Sequence, residues 1–269
     1  MSFPHRNSMD EKTLQAALQD LPLGGLRYFE RIGSTNDLAL AWAAEGAPDL
    51  CLIVADEQTT GRGRSRRSWY TPPGAALAFS LILRPEGKEE TLLSLYTGLG
   101  ALAVVHALRE RHALHAQIKW PNDLLLQGRK FAGVLVEAVW LGEQIESLII
   151  GIGVNVYAQA TPPPHQVDFP ATSIEEVLHR RPNRIQLLHD ILAALLDWRP
   201  RIGEPAFIKA WENALAYRGE QVHVQQGPTA LSGHLLGLAA DGALQLRSSQ
   251  GDPITVHFGD VHLRPNIVS

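Results

Sequence analysis

The feature that most constrains this chain is a short arginine- and glycine-rich segment placed between two apolar runs. Residues 61–67 read Gly-Arg-Gly-Arg-Ser-Arg-Arg, and no acid lies between Gly61 and Trp69. Apolar runs at 51–55 and 75–83 flank the segment, and residues 71–74 (Thr-Pro-Pro-Gly) are a turn signal. The pattern predicts a cationic loop between two core strands, where backbone N–H and guanidinium groups can approach an anion such as phosphate.

The composition is that of an ordinary globular protein. Its 269 residues suffice for one large domain or for one large and one small domain, and 45% are hydrophobic. No apolar run reaches the ~18 residues that a membrane helix requires, and residues 1–12 lack the apolar core of a secretory signal. The single cysteine, Cys51, excludes an intramolecular disulfide and a cysteine-cluster zinc site. We therefore predict a cytoplasmic protein without membrane contact and without a metal site of its own.

The net charge of −4 argues against a protein that binds nucleic acid by general electrostatic attraction. The arginine segment is a local cationic feature of a mildly acidic chain. Two alternatives stay open for it: a charged loop that is simply solvated, and a glycine–arginine tail that binds nucleic acid. Its position between apolar runs argues against the tail. Four like charges within nine residues repel unless acids or a bound anion offset them, which favours an anion site.

Hydrophobic periodicity predicts a mixture of strands and helices before residue 217. Ser34 or Thr35 is a good N-cap for a helix that starts there. Two runs around residues 141–143 are typical of a β-hairpin. The main predicted strands are residues 28–32, 50–56, 75–83, 116–120, 131–140 and 144–152, and the main predicted helices are residues 13–21, 92–109, 173–178, 184–198 and 206–215.

From residue 220 onward the chain predicts a small all-β barrel. Short apolar runs at 222–224, 231–238, 243–246 and 254–258 are separated by Gly, Pro and Asp turns. Three arginines face four acids from Tyr217 onward, so this barrel is a poor candidate for binding nucleic acid. We expect an N-terminal extension with a short helix at 1–26, a large domain at 27–216 and the barrel at 217–269.

Lys119 and Lys130 add to the cations of the arginine segment. Arginine makes bidentate contacts with phosphate, whereas lysine acts as a mobile point charge. Several cations around one site suit a polyphosphate or a phosphoryl-type transition state. The sequence contains no GxxxxGK[ST], GxSxG, HExxH or CxxC motif, so neither a P-loop nor an enzyme nucleophile is indicated. We expect chemistry in which the substrates' own groups react while cations hold and neutralise them.

Five segments together resemble the biotin protein ligases, and their order and spacing match that family. The pairing of a GRGR loop with a downstream KWPND segment is the most specific part of a resemblance that covers roughly residues 27–265. The matching segments are residues 34–36, residues 57–64 with Arg67 and Trp69, residues 119–123, residues 128–137, and residues 151–155.

The resemblance implies an α/β (α+β) fold with a class II synthetase-like mixed sheet and helices, followed by an SH3-like β-barrel. It also implies an ATP-dependent reaction in two steps. Biotin carboxylate attacks the α-phosphate of ATP with Mg²⁺, which gives biotinoyl-5′-AMP and pyrophosphate. A lysine of the biotin carboxyl carrier protein of acetyl-CoA carboxylase then attacks the acyl carbon, and AMP leaves. Residues 27–216 would form the biotin- and ATP-binding catalytic domain.

The resemblance further assigns roles to the matched residues. The ureido ring of biotin would be hydrogen-bonded by Ser34, Thr35 and Gln58, with Asn36, Gly133 and Gly151 in the same pocket. The loop that closes over biotin and the phosphates would be Gly61, Arg62, Gly63 and Arg64, with Arg64 holding the adenylate. The remaining contacts would be Arg67 and Lys119 to phosphates, Trp69 and Asn155 near the nucleoside, Lys130 on the carboxylate, and Asn122 and Asp123 orienting ligand or metal. Catalysis would rest on Lys130, Arg64, Lys119 and Asp123.

Two departures from the family pattern are visible. Arg66 stands where the family loop usually has glycine, and Ala78 stands at or near a pocket aromatic that Phe79 is expected to replace. We see no room for an N-terminal DNA-binding domain and expect a ligase without a repressor role. A lipoate–protein ligase of the same fold and a DNA-binding biotin repressor remain the alternatives, and a homodimer stays open.

Overall fold

The computed structural model describes residues 9–226 and 228–262. Seven strands form one mixed sheet in the order β1-β2-β3-β7-β6-β5-β4, in which β1 and β2 are parallel and the other pairs are antiparallel. These strands are β1 Gly25–Ile32, β2 Cys51–Gln58, β3 Ala76–Leu83, β4 Gln117–Lys119, β5 Asp123–Leu126, β6 Arg129–Leu141 and β7 Gln144–Asn155.

Helices cover both faces of this sheet, because its central strands are apolar on both sides. All eight residues of β3 are buried, as expected for a strand with two covered faces. Along β2, Cys51 and Ile53 pack under the second helix, whereas Leu52 and Val54 join the larger core on the opposite face. The helices are α1 Glu11–Ala17, α2 Thr35–Ala44, α3 Tyr96–His112, α4 Ile174–Leu178, α5 Arg184–Trp198 and α6 Pro205–Ala214.

Helix α2 begins where its sequence predicts. Ser34 is the N-cap, and its side chain accepts a hydrogen bond from the backbone N–H of Asp37. Ala39 and Ala43 lie fully buried against the sheet, and these small side chains let the helix approach the strands closely. The approach brings residues 34–36 to the edge of the central strands β3 and β7.

The C-terminal part of the described chain is a five-stranded antiparallel sheet in the order β11-β10-β9-β8-β12. Helix α6 contacts this sheet through Glu212, which accepts a hydrogen bond from the backbone N–H of Leu238 at 3.0 Å. Just after α6, the N–H of Ala216 donates to the carbonyl of Ile118 on β4 at 2.9 Å, which joins the helix to the large sheet. The indole N–H of Trp120 also donates to the carbonyl of Gly242 at 3.0 Å. The strands are β8 Gln221–Gln226, β9 Thr229–Leu238, β10 Leu244–Arg247, β11 Pro253–Val256 and β12 Asp260–His262.

The structure confirms the predicted fold class and the hairpin of β6 and β7. The bounds of two helices were wrong at both ends, since α3 runs over 96–112 and not 92–109, and α1 over 11–17 and not 13–21. Helix α3 starts at Tyr96 because residues 87–91 and 93–95 form separate 3₁₀ turns. Helix α1 starts at Glu11 because Asp10 caps it by accepting from the backbone N–H of Thr13. Strand β12 was missed, and residues 1–8 and 263–269 of the two predicted terminal units lie outside the described residues.

Within the described ranges, no helix has both the length and the apolar character that crossing a membrane demands.

Candidate active site

A cavity of about 390 Å³ lies where the N-terminus of α2, the arginine segment, β6 and β7 meet. All of the predicted site residues line it except Gly61. The carbonyl of Gly61 accepts from the backbone N–H of Trp69 at 2.8 Å, and a Cβ at Gly61 would overlap the Trp69 carbonyl oxygen. Gly61 therefore shapes the base of the loop and stands behind the cavity wall. Phe79, expected to replace the missing aromatic, is also on the lining.

One end of the cavity carries a small group of uncharged polar side chains. The Gln58 amide oxygen accepts from the backbone N–H of Thr35 at 2.8 Å and lies 3.1 Å from the Thr35 hydroxyl. Gln58 in turn donates to the hydroxyl of Thr71 at 3.1 Å. The Ser80 hydroxyl, which is fully buried, lies 2.8 Å from the Thr35 hydroxyl. These groups offer both donors and acceptors to a neutral polar ligand head.

Acids of the protein pair with the arginine segment. Arg62 makes a bidentate pair with Glu137, at 3.0 and 2.9 Å, and a further ion pair with Asp37 at 2.6 Å. Arg67 lies 2.6 Å from Asp260. The repulsion among the arginines is thus partly offset by acids of the same chain. The sequence had left two sources of this compensation open, acids of the protein and a bound anion.

Arg64 occupies the middle of the segment and points to the KWPND residues. Its guanidinium donates to the amide oxygen of Asn122 at 3.2 Å and lies 3.6 Å from Asp260. Ser65, the next residue, has φ 55° and ψ 36°, a left-handed conformation that is uncommon for a residue with a side chain. The side chain of Arg66 lies outside the described residues.

Two lysines and one carboxylate form the cationic wall of the cavity. The Asp123 carboxylate lies 2.5 Å from the ammonium of Lys130 and 3.5 Å from that of Lys119. Lys119 is only 6% exposed, and this burial lowers the pKa of its ammonium group, while the charge of Asp123 opposes the shift. Asp123 therefore fixes the two ammonium groups side by side, both facing the cavity.

Two glycines of β7 make space for larger residues of the site. A Cβ at Gly151 would overlap the amide of Asn36, and a Cβ at Gly153 would overlap the indole of Trp69. Gly151 lines the cavity, as predicted, and it also leaves the space that the side chain of Asn36 occupies. The Lys130 ammonium lies 5.4 Å from the centre of the Trp69 ring.

Comparison with known proteins identifies the family. The model of the Biotin/lipoate A/B protein ligase family matches residues 28–155. The biotin–[acetyl-CoA-carboxylase] ligase of Mycobacterium tuberculosis is 32% identical over 271 residues, which cover 96% of this chain and 97% of that protein. The bifunctional ligase/repressor BirA of Bacillus subtilis is 33% identical over 230 residues, which cover 84% of this chain and 70% of that protein. The chain belongs to the biotin/lipoate A/B protein ligase family.

A solved structure supports the same assignment. The biotin protein ligase from Aquifex aeolicus in complex with biotin and ATP is 29% identical, with a TM-score of 0.75, and the match covers 89% of this chain and 98% of that one. The resemblance drawn from the five sequence segments is therefore confirmed, together with the fold class that it implied.

In this ligase fold, the structure adds site residues that the sequence did not reveal. Glu137 and Asp260 hold the arginine segment although they lie 75 and 193 residues from their partners. Residues 162–171 contribute Phe169, whose ring centre is 5.1 Å from the Lys119 ammonium. The backbone of Lys130 holds this segment, since its N–H donates to the Pro170 carbonyl at 2.8 Å. No short motif marks Asp260 or Phe169, and Glu137, which ends the matched segment 128–137, was given no role from the sequence.

Proposed function

We propose that this chain is an ATP-dependent biotin–protein ligase. It activates biotin as biotinoyl-5′-AMP and transfers the biotinoyl group to a lysine of the biotin carboxyl carrier protein of acetyl-CoA carboxylase. The observation that carries the proposal is one cavity that joins an uncharged polar end, at Thr35 and Gln58, to a cationic wall. The first suits the ureido ring of biotin, and the second suits the carboxylate and the phosphates of ATP.

The first step forms a bond between a biotin carboxylate oxygen and the α-phosphorus of ATP. The bond from that phosphorus to the bridging oxygen breaks, and pyrophosphate leaves with the electron pair. Two anions must approach each other, so cations on both reactants lower the barrier. We assign Lys130 to the carboxylate and developing charge, Lys119 and Arg67 to the phosphates, and Arg64 to the adenylate. Asp123 keeps the two lysines in position.

The second step needs no nucleophile from the enzyme. The neutral amine of the carrier lysine attacks the acyl carbon of the adenylate, the bond to the phosphate oxygen breaks, and AMP leaves while the amine proton passes to solvent. The protein holds the acyl group in place and excludes water, which would otherwise hydrolyse the mixed anhydride. Trp69 and residues of the 162–171 segment line the cavity.

Magnesium is part of the proposal as the companion of ATP. Among the described residues, no group of three or more His, Cys, Asp or Glu side chains is arranged to hold a metal ion. Asn122 and Asp168 offer oxygen atoms at the cavity lining, which fits a Mg²⁺ ion that is held mainly by phosphate oxygens and water. Such an ion neutralises phosphate charge. A cytoplasmic location, with residues 27–216 as catalytic domain and 217–269 as barrel, completes the proposal.

The decisive experiment incubates the protein with biotin, α-labelled ATP and Mg²⁺ without an acceptor protein. We expect labelled biotinoyl-AMP that stays bound to the protein, and no labelled product with lipoate in place of biotin. A product with lipoate alone would favour a lipoate ligase of this family. Failure with both acids would overturn the proposal.

The variant Lys130→Ala tests the assignment within the site. The ammonium of Lys130 is assigned to the carboxylate of biotin. Removing it is expected to lower the single-turnover rate of adenylate synthesis by about 100-fold or more, the usual effect of losing a group that stabilises charge in the transition state. Wild-type folding, checked by thermal unfolding, is the control. Adenylation at the wild-type rate would show that Lys130 has another role.

A further inference from the structure

We infer that Glu137 is a positioning residue that couples the biotin end of the cavity to the arginine segment. The inference rests on the proposed function, because it concerns how biotin binding is communicated within that site. Glu137 lies on β6, with a side chain that is 25% exposed, and it matches no catalytic assignment made from the sequence.

The first link is the fixed orientation of Asn36. This residue is only 4% exposed, and its amide nitrogen donates to a Glu137 oxygen at 2.7 Å. A carboxylate can only accept, so the nitrogen must face Glu137 and the amide oxygen must face the other way. That oxygen accepts from the Ser80 hydroxyl at 2.6 Å. Asn36 fills the space that a side chain at Gly151 would need, so the glycine leaves room for the amide in this orientation.

The second link is the grip of Glu137 on the loop. Both of its oxygens accept from the Arg62 guanidinium, at 3.0 and 2.9 Å, in the bidentate geometry that gives strong and directional pairing. The hydrogen bond that Arg62 donates to Glu137 is the largest influence on the pKa of its guanidinium, and it raises that pKa. Glu137 thus joins a buried amide to a loop residue through a single carboxylate.

The two links close a continuous hydrogen-bonded path. The backbone N–H of Thr35 donates to Gln58, and the Thr35 hydroxyl contacts that of Ser80. The path continues through Asn36 and Glu137 to Arg62. One end is the group assigned to the ureido ring, and the other end is the loop assigned to the carboxylate and phosphates. A ligand that immobilises the first end therefore immobilises the second, and coupling between two such sites is reciprocal. Biotin alone, before ATP binds, is expected to order residues 61–69 through Glu137.

Asp37 provides a matched control. Its carboxylate pairs with the same guanidinium at 2.6 Å but is 55% exposed, and the path from Asn36 to Arg62 runs through Glu137 without it. Asp37→Asn removes one negative partner of Arg62 and leaves the path whole. Glu137→Gln removes one negative partner and also breaks the bidentate pair.

The experiment measures hydrogen exchange of residues 61–69 with and without biotin, beside biotin affinity by calorimetry. In the wild type and in Asp37→Asn, biotin is expected to slow exchange of the loop amides. In Glu137→Gln, biotin should still bind, with an affinity lowered by at most about 10- to 100-fold, the factor that a lost hydrogen bond to a charged group represents. The slowing of loop exchange by biotin should be lost.

Arg62→Lys repeats the test from the other side. It keeps the positive charge but loses the planar fork that fits a carboxylate, so it should uncouple the loop in the same way. If Glu137→Gln does not fold, Arg62→Lys still tests the coupling. Biotin-dependent protection that persists in either folded variant overturns the inference while leaving the ligase proposal intact. A wild-type protein that binds no biotin overturns both.

Discussion

Lys119 is the buried cation of the site, and its protonation sets a pH limit on catalysis. Burial lowers the pKa of its ammonium below the ordinary value of 10.5. Only the protonated form neutralises phosphate, so kcat/KM for adenylation should fall on the alkaline side below pH 10.5. Lys119→Arg should move this alkaline limb to higher pH, because a guanidinium stays protonated. The measurement is the pH profile of pyrophosphate release without carrier.

The prediction is tested by the pH at which kcat/KM falls on the alkaline side, and not by the maximum value of kcat/KM. An alkaline limb that stays in place in Lys119→Arg would assign the titration to another group. The same burial also affects folding. The unfolded chain carries Lys119 at its ordinary pKa, so the cost of burying the charge is present below the folded pKa and is relieved as pH rises towards 10.5.

Arg64 is expected to retain the adenylate, because it is the guanidinium between the loop and Asn122. In Arg64→Ala, biotinoyl-AMP should dissociate faster by about 10- to 100-fold, since hydrogen bonds to charged groups contribute roughly 1.5–3 kcal/mol. The dissociation rate is measured from the labelled biotinoyl-AMP that stays with the protein on a filter as a function of time. Arg109→Ala, an exposed arginine near the end of α3, is the control. Equal release from Arg64→Ala and wild type would remove this role.

At the level of elements, the sequence predicted what local patterns determine. The N-cap at Ser34, the apolar flanks of the arginine segment and the hairpin around 141–143 all depend on residues close in the chain, and the structure has each of them. Most of the site residues predicted from the motifs line one cavity. The pairing of Glu137 with Arg62 and of Asp260 with Arg67 was not predicted, because an acid that pairs across 75 or 193 residues leaves no local pattern.

Helix α1 illustrates an attachment of this long-range kind. Asp20, just after the helix, lies 3.0 Å from the imidazole of His189 on α5, and Asp190 lies 3.5 Å from the other ring nitrogen. The hydrogen bond to Asp20 raises the pKa of His189, more than burial lowers it. The stabilisation is fully present below pH 6.5 and is lost as pH rises through the folded pKa.

Asp20→Asn should therefore lower the pKa of His189 and remove the pH dependence of the α1 attachment. NMR titration of the His189 ring gives the pKa, and hydrogen exchange of residues 11–17 at pH 5.5 and 8 reports the attachment. In the wild type, exchange of α1 should be faster at pH 8 once the intrinsic pH effect is divided out. A His189 pKa that is the same in both proteins would rule out Asp20 as its cause.

In the molecule as a whole, the described part of the barrel contacts residues that line the cavity or lie next to them. The Gly242 carbonyl accepts from Trp120, next to the two residues Asn122 and Asp123 of the site. On β12, Asp260 reaches Arg67 and Arg64. Burial would raise the pKa of Asp260, but the hydrogen bond and charge of Arg67, with Arg64 and Lys119, keep it below its usual value. The barrel thus supplies an anion to the phosphate-binding arginines.

We predict that this carboxylate holds the loop until phosphate replaces it. In Asp260→Asn without ligand, trypsin should cut at residues 62–67 about fivefold faster than in wild type, since a partly exposed ion pair contributes up to about 1 kcal/mol. Bound biotinoyl-AMP should abolish the difference, because its phosphate then pairs with the arginines in place of the carboxylate.

The same carboxylate gives the protein a pH-dependent stability. The stabilisation by Asp260 exists above pH 3.8 and disappears as pH falls through the lower folded pKa. The free energy of unfolding of Asp260→Asn should therefore depend less on pH in this acid range than that of the wild type. Asp252→Asn, an exposed barrel acid, is the control. Equal cleavage of Asp260→Asn and wild type without ligand would show that the barrel does not restrain the loop, and faster cleavage that persists with adenylate would show that phosphate does not replace the carboxylate.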